Sequence, residues 1–475
     1  MGLRAPWLRQ RLLMLGLAVF DATCLGLVYN ITRWVRLQEE AWVGLNRALG
    51  VLILLWLSAS YLLGRYSEPE STSRGALARR LAMTALVPLL ILAVVLGHSW
   101  AFQVADARTR FRGFLVPVLG LAALLSALAQ LVLTRQRRES TSWLLLGEPE
   151  ELRVLRAEMA AHPPLAPLRL FTRTAEEFTP DDLSTLPAVD GIAVSDRISI
   201  PETVLQSLLQ ERATGMGVSS LVNWSERHLQ RVPPELFSNR WLLNAEGFGL
   251  QPSTWTWRLK RSLDLIGAGA LGALTLPLML VAALLIWLTD RGPVFYGQTR
   301  TGLYGRPFKV WKLRTMRLDA EAEGVRWASR ADQRITPVGQ WLRRLRIDEL
   351  PQLVAVILGD MSLIGPRPER PELEGDLERL IPHYRMRHWI RPGLSGWAQV
   401  CFPYGASVAD SRMKLSYDLY YLRNANLLLD LLILIKTIRL VAGARGAVPL
   451  ASSETPPAGP GVASREPATT RVDQP

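Results

Sequence analysis

Apolar residues along this chain gather into runs of two lengths. Four long runs open the sequence, at about Leu12–Tyr29, Ala48–Gly64, Leu81–Phe102 and Gly113–Leu133. Each is near the length that carries a helix across about 30 Å of hydrocarbon, so residues 1–138 are predicted to form four transmembrane helices. Asp21 interrupts the first run and no small-residue cleavage site follows, which argues against a removable leader. Beyond Arg138 the runs shorten. Trp143–Gly147, Leu168–Phe171 and Gly191–Val194 read as buried strands, and Glu150–Ala161 as a helix. This alternation predicts a small Rossmann-like α/β domain with a parallel sheet over residues 139–250. Its first strand ends in Gly-Glu-Pro-Glu, without the glycines and the helix start that a dinucleotide pyrophosphate requires. The domain is therefore read as degenerate, with a structural or regulatory role.

A fifth apolar run, Leu263–Leu288, is long enough to span, but two features argue for re-entry. Arg258, Lys260 and Arg261 precede it and Arg291 and Arg300 follow, so both flanks carry the basic signature of one membrane face. Pro277 stands mid-run, where it removes a backbone hydrogen bond and kinks a helix. A kinked re-entrant helix is expected, with a plain span as the alternative. Near the end, Asn424–Leu440 is apolar except for Asp430, Lys436 and Arg439. A crossing would strand Asp430, so this helix is expected to lie at the interface or against the core. Residues 251–442 are thus expected to form one mostly α domain with its re-entrant helix, and Pro-, Ala- and Ser-rich 443–475 a disordered tail.

Composition sharpens this division. The chain is 49% hydrophobic and 20% charged, below the roughly 25% charged of an ordinary soluble domain. Its net charge of +13 is segmental: residues 1–142 carry 16 basic against 7 acidic residues, 143–246 carry 9 against 15, and 258–347 carry 16 against 6. Basic residues flanking apolar runs point to a membrane surface rather than a nucleic acid. Ten basic residues in the amino-terminal arm, the second connection and the segment after the fourth run oppose six in the other two connections. That places both ends of the four-helix block in the cytoplasm. Cys24 and Cys401 are too isolated for a disulfide framework or a zinc site.

The chemistry concentrates between Gly292 and Gly396. Thirteen basic residues fall between Arg291 and Arg346 against four acidic ones, and Asp348-Glu349 follows directly behind Arg343, Arg344 and Arg346. Carboxylates ringed by arginine are expected to stay ionised, because nearby positive charge lowers their pKa. An ionised carboxylate can attack phosphorus or hold a divalent metal, while arginine forks bind phosphate oxygens. Nucleophile, metal ligand and anion anchor together describe phosphoryl transfer. Two rival readings remain: a polytopic glycosyltransferase without a covalent intermediate, and a non-catalytic scaffold for polysaccharide export.

Several long motifs narrow the choice. Lys312-Leu-Arg314-Thr-Met316, Asp348-Glu-Leu-Pro-Gln-Leu353, Gly359-Asp-Met-Ser-Leu-Ile-Gly-Pro-Arg-Pro368, Arg391-Pro-Gly-Leu-Ser-Gly-Trp-Ala-Gln399 and Tyr417-Asp-Leu-Tyr-Tyr421 stand in order. Over about residues 256–441 the chain resembles the bacterial sugar transferases, the monotopic phosphoglycosyl transferases; with its front half it resembles their large undecaprenyl-phosphate galactose or glucose phosphotransferase-like members. The resemblance implies an inner-membrane enzyme with its catalytic domain on the cytoplasmic face. Such an enzyme moves a hexose-1-phosphate from a UDP-sugar to undecaprenyl phosphate at the start of exopolysaccharide, capsule or O-antigen synthesis. UMP is released. It further implies that Asp348 forms a covalent phosphosugar, that Glu349 with Asp348 places Mg²⁺, and that Arg343, Arg367, Lys312 and Arg314 contact phosphate. The partners implied are the UDP-sugar, undecaprenyl phosphate, membrane lipids and, from the layout of large members, a second copy of the chain; no nucleic acid is expected. The family's Ser-Pro kink is Leu276-Pro277 here, with Thr275 one step earlier as the hydroxyl donor. Ala355 and Cys401 stand where many members have asparagine.

Overall fold

A computed structural model describes residues 6–37, 46–66, 74–101, 111–136, 141–164, 168–174, 176–178, 189–213, 215–244, 254–317, 334–402 and 407–442. The tail expected from residue 443 onward lies outside the described residues.

Four helices open the chain: α1 (Pro6–Leu37), α2 (Arg47–Leu62), α3 (Arg74–Ala101) and α4 (Val116–Gln136), the last entered through a π-helical turn at Phe111–Leu115. Leu25, Val28, Leu52, Trp56, Val87, Ile91, Val118 and Leu119 form their shared core, while Val19, Leu54, Leu89 and Leu124 face outward. An apolar exterior around an apolar core suits lipid rather than water. Among the described residues three helical stretches are long and apolar enough to cross a membrane: Met14–Arg36 in α1, Gly113–Val132 running from the π-helical turn into α4, and Trp255–Thr289 further along; the apolar parts of α2 and α3 are shorter, Arg47–Leu62 and Leu81–Gly97. Asp21, which breaks the first apolar run, is buried against Arg65 at 3.0 Å and takes hydrogen bonds from the Tyr66 hydroxyl at 2.7 Å and Trp56 Nε1 at 3.2 Å. A buried carboxylate is tolerated there because its charge is paired.

The α/β unit follows: β1 (Thr141–Leu146), α5 (Pro149–Ala161), β2 (Leu168–Arg173), β3 (Gly191–Val194), α6 (Glu202–Ala213), β4 (Gly217–Ser220), α7 (Leu221–Leu229) and the short α8 (Asn239–Asn244). The four strands are all parallel in the order β2-β1-β3-β4. Three strands and the first helix stand where the apolar pattern put them. The fourth, Gly-Val-Ser-Ser, has no apolar alternation and was invisible to it.

The long apolar run is one helix, α9 (Trp255–Asp290), capped by the Thr254 hydroxyl, which accepts from Trp257 N. Pro277 lies inside it and leaves the Ala273 carbonyl without its N–H partner. The Thr275 hydroxyl does not supply that bond; it donates to the Leu271 carbonyl at 2.7 Å. Two stretches of α9 pack on the following domain. Ala268 joins Val310, Leu353, Val356 and Met361, and Ala282 and Ile286 join Leu313, Leu342 and Ile347. Leu274, Leu276, Leu278, Leu280 and Val281 between them are exposed.

That domain contains the antiparallel hairpin β5 (Phe295–Thr301) and β6 (Pro307–Leu313), then α10 (Pro337–Arg344), a 3-10 turn at Ile347–Gln352, α11 (Leu353–Leu358) and β7 (Ser362–Ile364). After α12 (Pro371–Leu380) and a 3-10 turn at Tyr384–Trp389 come β8 (Gly393–Ser395), α13 (Trp397–Cys401), α14 (Val408–Asn424) and α15 (Leu427–Ala442). β7 and β8 pair in parallel. Asp430 on α15 is not stranded: Lys260 of α9 lies 2.7 Å from it, and the Tyr421 hydroxyl donates to it at 2.6 Å. This ion pair fastens α9 to the catalytic core.

Candidate active site

The site begins with a change of direction. α10 ends at Arg344, and Arg346 adopts left-handed backbone, φ 54° and ψ 26°, before the 3-10 turn that carries Asp348 and Glu349. A non-glycine residue there is strained by about 1–3 kcal/mol, and its reversal presents the two carboxylates to the hairpin. Both are buried.

The cations arrive from three directions. From the loop after β7, Arg367 donates to Glu349 Oε1 at 2.6 Å; from the turn itself, Arg346 donates to Oε2 at 3.2 Å; from β6, Lys312 Nζ lies 3.7 Å from Oε1. Asp348 takes no hydrogen bond or ion pair among the described residues. The pair therefore splits. Burial alone would raise Glu349, but the charges of Arg367, Lys312 and Arg346 outweigh it and hold its carboxyl well below the usual range. Burial and the neighbouring Glu349 charge push Asp348 upward, against the pull of Lys312, Arg343 and Arg367. The expectation that arginine lowers both carboxyls is thus corrected for Asp348: its neighbour has taken the ion pairs. Burial also drives Lys312 down to about 8, with Glu349 opposing and Arg367 adding.

The sequence-derived residues do not all converge. Asp348, Glu349, Lys312 and Arg367 come together, and Arg343 stands close enough for its charge to act on Asp348 while its Nε donates to the Thr315 hydroxyl at 2.9 Å. Arg314 turns away: its backbone N–H donates to Val294 at 2.8 Å, and a Cβ at Gly292 would meet its guanidinium at 2.7 Å. Alternation alone would put 312 and 314 on one face; Arg314 escapes it because β6 ends at Leu313.

Sequence reasoning passed over three supports. Arg346 was read only as part of a basic run, and Thr315 only as part of a motif. Arg387 was hidden in an unremarkable stretch, yet it donates to the Arg367 carbonyl at 2.9 Å and to buried Asp418 at 3.0 Å. Burial raises Asp418 to about 6, against the Arg387 charge. His388, in the same stretch, is buried 3.3 Å from Glu374.

Placement of Arg367 depends on close backbone approach. Gly365 N donates to Ser395 O at 2.8 Å and Gly393 N to Pro366 O at 2.8 Å. A Cβ on Gly393 would fall 2.0 Å from Gly365 N, and one on Gly365 would fall 2.4 Å from Arg391 O. Only glycine fits there.

Comparison with known proteins supplies the lineage. The profile of the bacterial sugar transferase family matches residues 255–444. An undecaprenyl-phosphate N-acetylgalactosaminephosphotransferase of Aeromonas hydrophila is 46% identical over 198 residues, 42% of this chain and 47% of that protein. A UDP-glucose:undecaprenyl-phosphate glucose-1-phosphate transferase of Caulobacter vibrioides is 41% identical over 212 residues, 44% of this chain and 79% of that protein. The chain belongs to the bacterial sugar transferases. A third member, the exopolysaccharide production protein PSS of Rhizobium leguminosarum, is 39% identical over 186 residues, 38% of this chain and 93% of that protein. The match spans about half the length of the Aeromonas relative. In this chain the family profile covers α9 to α15, which hold every residue of the site described above.

Among the described residues no group of three or more acidic, histidine or cysteine side chains gathers as a metal site. The dyad still suits Mg²⁺, which takes one or two carboxylates and completes its shell with substrate phosphate and water.

Proposed function

We propose that this chain transfers a hexose-1-phosphate from a UDP-hexose to undecaprenyl phosphate through a covalent intermediate on Asp348. One observation carries the reading: a buried carboxylate without a partner among the described residues, beside Glu349, which holds three cations. Asp348 is thereby available to attack, while Glu349 fixes Arg346, Arg367 and Lys312 around the incoming phosphates. In the first step an Asp348 oxygen bonds to the sugar-bearing phosphorus, the bond from that phosphorus to the bridging oxygen breaks, and UMP leaves with the electron pair. In the second, a phosphate oxygen of undecaprenyl phosphate attacks the same phosphorus and the Asp348 carboxylate is restored. No net proton transfer is needed. Lys312, Arg343 and Arg367 offset the negative charge that two approaching anions bring together. Bound to Asp348, Glu349 and substrate oxygens, Mg²⁺ would supply further charge neutralisation.

Placement at the membrane follows the same logic, because the acceptor's phosphate sits at the surface on a long lipid. Only residues 269–281 separate the two stretches of α9 that pack on the catalytic domain. At 1.5 Å per residue they reach about 20 Å, short of a bilayer crossing. This supports a re-entrant α9; with the four apolar helices in front and the basic flanks of α9, the reading is a catalytic domain on the cytoplasmic side of the inner membrane.

The test is UMP release from a panel of UDP-sugars by purified protein without acceptor. A UDP-hexose is expected to give a stoichiometric burst and a phosphosugar adduct mapping to Asp348, both absent from Asp348→Asn. An adduct on another residue, or release only when lipid acceptor is added, overturns the covalent route.

A further inference from the structure

One carboxylate inside the apolar run of α9 has no part in the steps above. Asp264 follows Leu263 at the start of that run, and an acidic side chain in a membrane-directed helix needs a partner. It is buried, and among the described residues its hydrogen bonds both come from β7. A single oxygen, Oδ1, accepts from the Ser362 hydroxyl at 3.0 Å and from Leu363 N at 3.0 Å. In the β7–β8 pair Ser362 N donates to Pro392 O at 2.9 Å and Gly365 N to Ser395 O at 2.8 Å. The N–H of Leu363 faces the other way, so without the carboxylate it would be a buried donor with no acceptor. One turn further along α9, a Cβ on Gly267 would fall 2.6 Å from Leu363 Cδ1; the helix lies directly on β7.

The rest of this face of α9 is stitched to the same domain. Arg261 donates to the Val356 and Ile357 carbonyls at the end of α11, at 2.6 and 2.8 Å. Lys260 pairs with Asp430, and the Arg391 guanidinium lies 4.5 Å over the Trp257 ring. Residues 257, 260, 261, 264 and 268 recur at helical spacing, so these contacts form one stripe. β7 is the element that profits. It is a three-residue strand with β8 as its one partner, too short to hold itself in place. Beyond it the chain runs through Gly365 and Pro366 to Arg367, which donates to Glu349 Oε1 at 2.6 Å.

We propose that Asp264 is a positioning residue for the transfer reaction: gripping β7 from the membrane helix, it holds the Arg367 loop where the guanidinium meets Glu349 and the donor phosphate. The inference rests on the transfer reading. Asp264 touches no reacting atom; it couples the seating of α9 to the geometry of the phosphate site. Because both bonds end on Oδ1, the role asks for an acceptor oxygen rather than for a charge. An amide oxygen carries the two lone pairs required.

The experiment measures UMP release from a UDP-hexose, with undecaprenyl phosphate present, by the full-length chain in detergent. Wild type, Asp264→Ala, Asp264→Asn and Ser362→Ala are compared, each also in an Arg367→Lys background. A shift of the order of 1 Å at a catalytic group costs roughly a hundredfold, and turnover of Asp264→Ala should fall by about that factor. Ser362→Ala keeps the Leu363 bond and should lose about tenfold at most, while Asp264→Asn should keep most of the activity. In the Arg367→Lys background the alanine variants should cost far less, because the group they displace is already altered; a general loss of structure would cost the same in both. If Asp264→Ala does not fold, Ser362→Ala carries the same comparison. Equal costs in the two backgrounds, or an Asp264→Asn chain as impaired as Asp264→Ala, overturns the positioning role and leaves the transfer reaction standing. A wild-type chain that releases no UMP from any UDP-sugar overturns the reaction, and this inference with it.

Discussion

Asp348 and Glu349 are neighbours of the same charge, yet their environments drive them apart. Glu349 is drawn down by three cations and Asp348 is lifted by burial and by Glu349 itself. Which carboxylate turns toward the guanidinium groups is decided by the left-handed Arg346 and the short turn behind it, so the motif revealed the pair but not its division of labour. Lys312 makes the sharpest prediction at this scale. With its pKa pushed down to about 8, it is protonated below that pH and neutral above it. Donor kcat/KM should therefore fall as pH rises through about 8, and Lys312→Arg, which stays charged, should move that fall to higher pH. UMP release measured from pH 6 to 10 checks this. An alkaline limb identical in both proteins would assign it to another group.

Elements were legible to the degree that their surroundings are simple. The long apolar runs and the first strands of the α/β unit follow from hydrophobic patterning. β4 and the β7–β8 pair were not legible, because Gly-Val-Ser-Ser and three-residue strands carry no periodicity of their own. β7–β8 nevertheless positions Arg367. A Gly393→Ala substitution inserts a Cβ 2.0 Å from Gly365 N, so the two strands must separate and take the Arg367 loop with them. A displacement of the order of 1 Å at a catalytic group costs roughly a hundredfold in rate. Turnover should fall by about that factor, with near-normal far-ultraviolet circular dichroism showing that the fold persists. Gly375→Ala, at a position with nothing near its Cβ, serves as the silent control.

At the scale of the whole molecule, the α/β unit and the catalytic domain share a buried ionic seam. Arg231 pairs with Glu158 at 3.0 Å, donates to the His162 carbonyl at 2.6 Å and reaches the Tyr417 hydroxyl at 3.3 Å. Arg412 meets Glu235, and Arg423 lies 3.0 Å from Glu226. Every catalytic-domain residue of this seam lies on α14, the helix that also carries Asp418 and so steadies Arg387 and Arg367. Removing one partner of a buried pair strands the other, at a cost of about 3–5 kcal/mol. Arg231→Ala should accordingly lower the melting temperature and weaken activity without touching the dyad; unchanged thermal stability would show that the seam contributes little.

The amino-acid sequence by itself determined the succession of apolar helices, α/β unit and sugar-transferase segment, and it exposed the carboxylate pair with its arginines, because both are written in local pattern and contiguous motif. The tertiary structure alone decided that Arg314 turns away and that Arg346 and Arg387 turn in, and it alone left Asp348 without a partner among the described residues. Those outcomes depend on which side of a strand or turn faces the pocket, and on charges brought together from distant parts of the chain.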